Sequence, residues 1–249
     1  MGGADKVPFK EKLAYGMGDA AFNFIWMTFV YYQLFFYTDI FGISAAAAGT
    51  LLLTTRVWDT ISDPLIGFAS DRTRSRWGQF RPYLLFGAIP LGMASVLCFT
   101  TPDLPPTGKL YYAYATYLFL GIVFTANNIP YSSLLGVISP NSRERAALSS
   151  YRFIGAYGAG IIVLYFTLDL VELLGQGDRP KGFQLTMSAY ALVTVILLLI
   201  TFHFTRERVR PVMDRQTPFS RDLLDILANG PFMILFAVGI FTLAFVSIR

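Results

Sequence analysis

The chain has 249 residues, of which 54% are hydrophobic and only 14% charged, whereas about a quarter of the residues in a water-soluble domain carry charge. A net charge of +4 would suit a nucleic-acid partner if the cations shared one soluble face, but here they are parcelled out between long apolar runs, which excludes that class. The single cysteine, Cys98, lies inside one of those runs, so no intrachain disulfide can form.

Crossing a bilayer takes about 20 apolar residues in a helix. In chain order, such runs cover residues 15–38, 44–70, 82–101, 109–138, 150–174 and 183–204, and a seventh begins at 230. The first run has no small-residue cleavage site behind it and is followed by further spans, so it reads as a retained helix and not a signal peptide. This divides the chain into a six-helix bundle (1–204), a polar connector (205–229) and an incomplete seventh helix (230–249). Within the connector, Thr217 to Asn229 reads as a short amphipathic helix whose apolar face is Phe219, Leu223, Leu224, Ile226 and Leu227. Most lysines and arginines, from Lys6, Lys10 and Lys12 through Arg72, Arg74 and Arg76 to Arg206 and Arg208, fall at one end of the predicted bundle, while Lys109, Arg179 and Lys181 fall at the other. The positive-inside rule then predicts a cytoplasmic N-terminus.

The second run holds Arg56, Asp59, Ser62 and Asp63. Asp59 and Asp63 are four apart and share a helical face, with Arg56 three before the first of them. Each aspartate facing lipid would cost about 2.5–3.5 kcal/mol, so the pair is expected to face the bundle interior. Two carboxylates with hydroxyls nearby supply hard oxygen ligands for a small cation, or a proton acceptor. The competing reading is a brace, but one arginine balances only one carboxylate. Pro64 follows and can kink the helix. Asp19 and Asn23 form a second pair at helical spacing, near Gly16 and Gly18, which allow close helix approach. Span four carries Thr125, Asn127, Asn128, Tyr131, Ser132 and Ser133, a polar run suited either to a hydroxyl-rich solute or to interhelical hydrogen bonds. Arg152 in span five is expected to point inward to carboxylates or substrate, with Gly155, Gly158 and Gly160 behind it for helix packing. His203 is expected to be solvated at the end of span six. An embedded enzyme is the rival class, but no metal-ligand cluster, nucleophile elbow or phosphate loop accompanies that lone histidine.

The strings Tyr15-Gly16-Met17-Gly18-Asp19, Arg56-Val57-Trp58-Asp59-Thr60-Ile61-Ser62-Asp63-Pro64, Arg72-Thr73-Arg74-Ser75-Arg76-Trp77-Gly78 and Asn128-Ile129-Pro130-Tyr131-Ser132 resemble the glycoside-pentoside-hexuronide:cation symporters, the melibiose permease group of the major facilitator superfamily. The resemblance implies an all-α polytopic membrane protein: the N-terminal six-helix bundle of a twelve-helix transporter plus the start of helix seven, the C-terminal half lying on a missing segment. It implies a bacterial inner-membrane symporter for a sugar or glycoside such as a pentoside or hexuronide, coupled to Na+ or H+, with no other cofactor, no enzymatic activity and no nucleic-acid partner. By the same resemblance Asp59, Asp63, Ser62 and Thr125 form the cation site, the two aspartates being the metal ligands if the ion is sodium. Asp19, Asn23, Asn128, Ser132 and Arg152 lie on the sugar side, and Arg56, Gly67, Asp71, Arg72 and Arg76 belong to the conformational machinery. The melibiose permease has aspartates where this chain has Asn23 and Asn128, and a tryptophan in place of Ser132, so galactoside specificity does not carry over. A lysolipid or other amphiphile symporter of the same clan, or a transport-incompetent N-terminal fragment, is the alternative expectation.

Overall fold

A computed structural model describes residues 6–209 together with 228–231, 233, 234 and 238. The chain divides into two units, residues 1–210 and 211–249. In the second unit, helical backbone occurs at Ala228, Gly230, Pro231, Met233, Ile234 and Val238, with the Met233 amide donating to the Asn229 carbonyl at 3.0 Å. The amphipathic helix expected over 217–229 lies almost wholly outside the described residues, as does most of the expected seventh helix.

The first unit consists of helices α1 (Phe9–Phe35), α2 (Ala45–Arg72), α3 (Arg81–Cys98), α4 (Pro106–Ile138), α5 (Ser142–Gly175) and α6 (Arg179–Phe204), with a π-helical turn, Phe36–Phe41, continuing α1. Local chemistry explains the boundaries. Ser44, Asn141 and Asp178 cap α2, α5 and α6 by accepting the amides of Ala47, Arg143 and Lys181. Pro82, Pro106 and Pro180 occupy first-turn positions, where a missing amide costs nothing. Gly42, at φ 81°, reverses the chain after the π-turn. Several helices begin earlier than their apolar runs, α5 at 142 and not 150, because a cap and not the edge of hydropathy decides where a helix starts. Pro64 leaves α2 continuous.

Among the described residues four helices, α3 to α6, are long and apolar enough to cross a membrane by length and composition. α1 and α2 match them in length, 27 and 28 residues or about 40 Å at 1.5 Å per residue, yet carry the polar side chains that lower their hydropathy. α1 is the central element, packed on α5 and α6, while α3 packs on α4 and α6 and α2 leans mainly on α4. Apolar helices gain little hydrophobic drive toward one another in lipid, so close backbone approach has to substitute. A Cβ at Gly155 would fall on the Gly16 carbonyl oxygen, and one at Gly16 on the Tyr151 carbonyl; these two glycines set the α1–α5 distance. Gly158, by contrast, faces open space. Buried aromatics, among them Tyr15, Phe22, Phe36, Tyr37, Phe41, Phe99 and Tyr131, fill the core, and Cys98 is buried with them.

Candidate functional site

Two polar centres lie along the inner faces of α1. The first is a cleft between α1, α2 and α4 with a cavity of about 50 Å³, lined by Ile25, Trp26, Phe29, Thr55, Arg56, Asp59, Tyr117, Leu120, Gly121, Phe124 and Thr125. Asp59 reaches α4 because Gly121 has no side chain: a Cβ there would stand 3.4 Å from the Asp59 Oδ1 atom. That oxygen is buried and accepts no hydrogen bond among the described residues, while Oδ2 is 3.8 Å from the Arg56 guanidinium. Arg56 is 59% exposed at its side chain and lies 4.9 Å over the Trp26 ring, so it holds Asp59 only loosely. The arginine brace is therefore weak, and one carboxylate oxygen of this cleft-lining residue is left buried beside Gly121 with no partner among the described residues.

The other expected cation ligands divide. Thr125 is buried in the same cleft wall. Ser62 is buried, but its hydroxyl donates to the Asp59 carbonyl at 3.4 Å and it does not line the cleft. Asp63 sits one turn beyond Asp59 on an exposed face of α2, outside the cleft. Among the described residues no three acidic, histidine or cysteine side chains converge as a metal cage. A small cation held by Asp59 would thus complete its shell from hydroxyl, backbone or water oxygens.

The second centre joins α1, α4 and α5. Arg152 points inward, its Nη2 and Nε atoms donating to the Asp19 Oδ1 at 3.0 and 3.2 Å. Asp19 is 9% exposed, so it is a buried partner and not a solvated end group. Beneath the guanidinium, Tyr15 and Tyr131 stack at 4.9 Å and exchange hydrogen bonds: the Tyr15 hydroxyl donates to the Tyr131 carbonyl, and the Tyr131 hydroxyl to the Tyr15 carbonyl. Arg152 lies 5.1 Å above the Tyr131 ring, adding a cation–π contact to the ion pair. Asn23 donates to the Asp19 carbonyl at 2.8 Å, which turns its amide along α1. Asn128 is half-buried and forms no side-chain hydrogen bond among the described residues, and Ser132 is exposed. Asn127, the neighbour of Asn128, belongs to the packing: its amide fills the notch left by Gly87 and donates to the Val123 and Gly87 carbonyls.

The basic end of the bundle carries the expected conformational residues. Among the described residues outside its own helix, a Cβ on Gly67 would meet only Ile129, at van der Waals distance. The Asp71 carbonyl accepts from the Gln79 amide at 2.7 Å, Arg72 stacks on Phe68 at 3.5 Å and Arg76 on Trp77 at 4.1 Å. His203 is exposed. More order comes from residues that hydropathy and motif reading passed over. Glu207, just past α6, accepts the amides of Gln79, Phe80 and Arg81 at 2.7–3.0 Å and so closes the start of α3. Glu11, 3% exposed, grips Arg208 at 2.7 and 2.8 Å and accepts the Arg206 amide at 2.9 Å. Those hydrogen bonds hold the Arg208 guanidinium above its ordinary value. The Arg208 and Val209 amides donate to the Val137 carbonyl, tying the same segment to the end of α4. Their signal in the sequence was a single acid set among cations on each side, too common a pattern to single out. Tyr117 and Gly121 were equally silent, since an aromatic and a glycine in an apolar run are ordinary.

A family model described as MFS/sugar transport protein matches residues 14–249. The inner membrane symporter YicJ of Escherichia coli is 43% identical over 96% of this chain and 52% of its own length. The isoprimeverose transporter of Lactiplantibacillus pentosus is 37% identical over 94% of this chain and 49% of that protein. The glucuronide carrier protein homolog of E. coli is 34% identical, covering 92% and 50%. The chain spans about half the length of the curated relatives it matches. It belongs to the MFS/sugar transport family and, within it, to the glycoside-pentoside-hexuronide:cation symporters. It is an integral membrane protein.

Proposed function

We propose that this chain forms the N-terminal half of a secondary transporter, not an enzyme, that moves a sugar or glycoside together with Na+ or H+ across a bacterial inner membrane, with its N-terminus in the cytoplasm. The observation that carries the reading is the Asp59 carboxylate, which lines a cleft together with Thr125 and keeps one buried oxygen without a partner among the described residues. A carboxylate so placed lacks a partner until a cation or proton arrives, and its neutralisation would alter the field in which a sugar binds. Asp63 and Ser62 stand on the adjoining turn, where a change of α2 position would bring them to the ion. The Asp19–Arg152 pair, with Asn23 and Asn128 nearby, supplies donors and acceptors suited to sugar hydroxyls, and the neutral asparagines favour a pentoside, hexuronide or related solute. The coupling ion is substrate here, and no other cofactor enters the scheme. Arg56, Gly67, Asp71, Arg72 and Arg76 would act in the change of access. The relatives' names, a symporter, an isoprimeverose transporter and a glucuronide carrier homolog, agree with this class and do not favour an amphiphile.

Linkage demands that the ion tighten sugar binding by the same factor as the sugar tightens the ion. Inward movement of one positive charge supplies about 2.3 kcal/mol per 100 mV. The test is uptake of a labelled sugar panel by vesicles holding the full-length protein, driven in turn by a sodium gradient and a proton gradient. Asp59→Asn is expected to abolish the gradient-driven component while leaving sugar exchange at equal concentrations measurable. Unaltered ion dependence in that variant would remove Asp59 from the coupling site.

A further inference from the structure

We propose that the groove between α3 and α6 is a lipid site, taking one acyl chain of an anionic glycerophospholipid whose phosphate rests against Lys181. The groove has a volume of about 440 Å³ and is lined by residues of these two helices. Gly92 and Ala191 are buried at its floor, while Ile89, Met93 and Leu192 form its sides and are 60, 60 and 62% exposed. It exists because the helices touch through small residues. A Cβ on Gly92 would stand 3.1 Å from a Val195 methyl group and 3.5 Å from the Ala191 carbonyl oxygen, so the backbones approach closely and longer side chains rise on either side. Ser188 is the one polar residue in the lining, and its hydroxyl is spent on the Gln184 carbonyl at 2.7 Å.

A space of this size falls within the range of small-molecule sites, about 300–1,000 Å³, yet it offers a polar ligand almost nothing. Apolar cavities do not hold water, and the hydrocarbon around a membrane bundle is made of acyl chains. A chain laid in a groove touches protein on three sides where a smooth helix face touches it on one, and in lipid such dispersion contact is the gain that counts. Charge then selects the headgroup. Lys181, Ser188 and Val195 recur every seven residues on the face of α6 that lines the groove, and Lys181 lies about 10 Å beyond Ser188 at 1.5 Å per residue. Between them, Gln184 donates to the Thr100 hydroxyl at 3.1 Å, a bridge that marks where apolar lining gives way to a polar lip. Lys181 is exposed and forms no ion pair among the described residues, and Asp178, the acid nearest to it in sequence, caps α6 by accepting the Lys181 amide at 3.1 Å. A second copy of the chain is the other apolar partner a bilayer offers. Two copies inserted the same way up and joined across this groove would set Lys181 beside Lys181, a repulsion that a phosphate turns into attraction. The site requires only that the bundle lie in a bilayer and goes beyond the question of what is carried.

Native mass spectrometry of the full-length protein, released from nanodiscs holding equal amounts of phosphatidylglycerol and phosphatidylcholine, reads the retained lipid directly. The wild type is expected to keep one phosphatidylglycerol molecule several-fold more often than phosphatidylcholine. Ser188→Phe, which puts a ring into the groove, is expected to remove that molecule, and Lys181→Glu to cut its retention about tenfold. Should Ser188→Phe fail to fold, Leu192→Ala removes an exposed wall of the same groove and is expected to lower retention several-fold. Equal retention of the two lipids by the wild type overturns the proposal, and so does phosphatidylglycerol retention that a folded groove variant or Lys181→Glu leaves unchanged. A lipid-free dimer that Ser188→Phe separates would also overturn it and assign the groove to a second copy. None of these measurements involves sugar uptake, so their failure is distinct from failure of the transport reading.

Discussion

Asp19 and Arg152 compensate each other in a place where neither could stand alone. Removing one partner of a buried pair leaves an uncompensated charge, a loss of about 3–5 kcal/mol, while replacing both with apolar groups is often neutral. Asp19→Ala is therefore expected to lower the thermal unfolding midpoint markedly, and Asp19→Ala with Arg152→Met to recover most of it without recovering sugar binding. If the double variant binds sugar as the wild type does, the pair is only a brace. Arg56 behaves differently at the same scale: exposed and 3.8 Å from its acid, it adds little to stability, and its interest is the charge it holds beside the cleft.

At the scale of helices, contact depends on where a side chain is absent. Gly155→Ala places a methyl group against the Gly16 carbonyl of α1, where backbone cannot yield cheaply, and overpacking of that kind costs about 1–3 kcal/mol. Gly158→Ala, one turn on and facing open space, is expected to leave the unfolding temperature unchanged or slightly higher. Equal effects from the two would contradict the close α1–α5 approach. Hydropathy locates both helices and treats the two glycines alike; which of them touches a neighbour follows from the rotation of α5 about its axis, fixed only by packing.

Across the six-helix unit, the segment after α6 ties the bundle together at its basic end. Glu207 closes α3, Glu11 of α1 holds Arg208, and the Val137 carbonyl of α4 receives two amides from the same stretch. Five residues thereby link four helices whose apolar faces gain little by associating in lipid. Glu207→Ala removes the acceptor for three amides at the entry to α3, a capping loss of about 1–2 kcal/mol, or roughly 5- to 30-fold in local opening. Hydrogen–deuterium exchange at the amides of Gln79, Phe80 and Arg81 is expected to quicken by that factor while amides in the middle of α3 stay protected. Unchanged exchange at those three would show that the carboxylate does not hold the turn.

The sequence alone was enough for the number and order of the helices, their membrane character, the inward demand of Asp59 and Arg152, and the family motifs. Each of these follows from composition, the cost of charge in lipid, or a string of adjacent residues. Tertiary structure decided which polar residues share a space. Asp59, admitted by the bare backbone of Gly121, lines one cleft with Thr125 while Asp63, four residues along, stays on an exposed face, and Asn127 is absorbed into packing while Asn128 has no side-chain hydrogen bond among the described residues. The physical reason is that spacing along a helix defines a face but not the neighbour that face meets. That neighbour depends on helix rotation and interaxial distance, which arise from contacts between residues from 40 to more than a hundred positions apart.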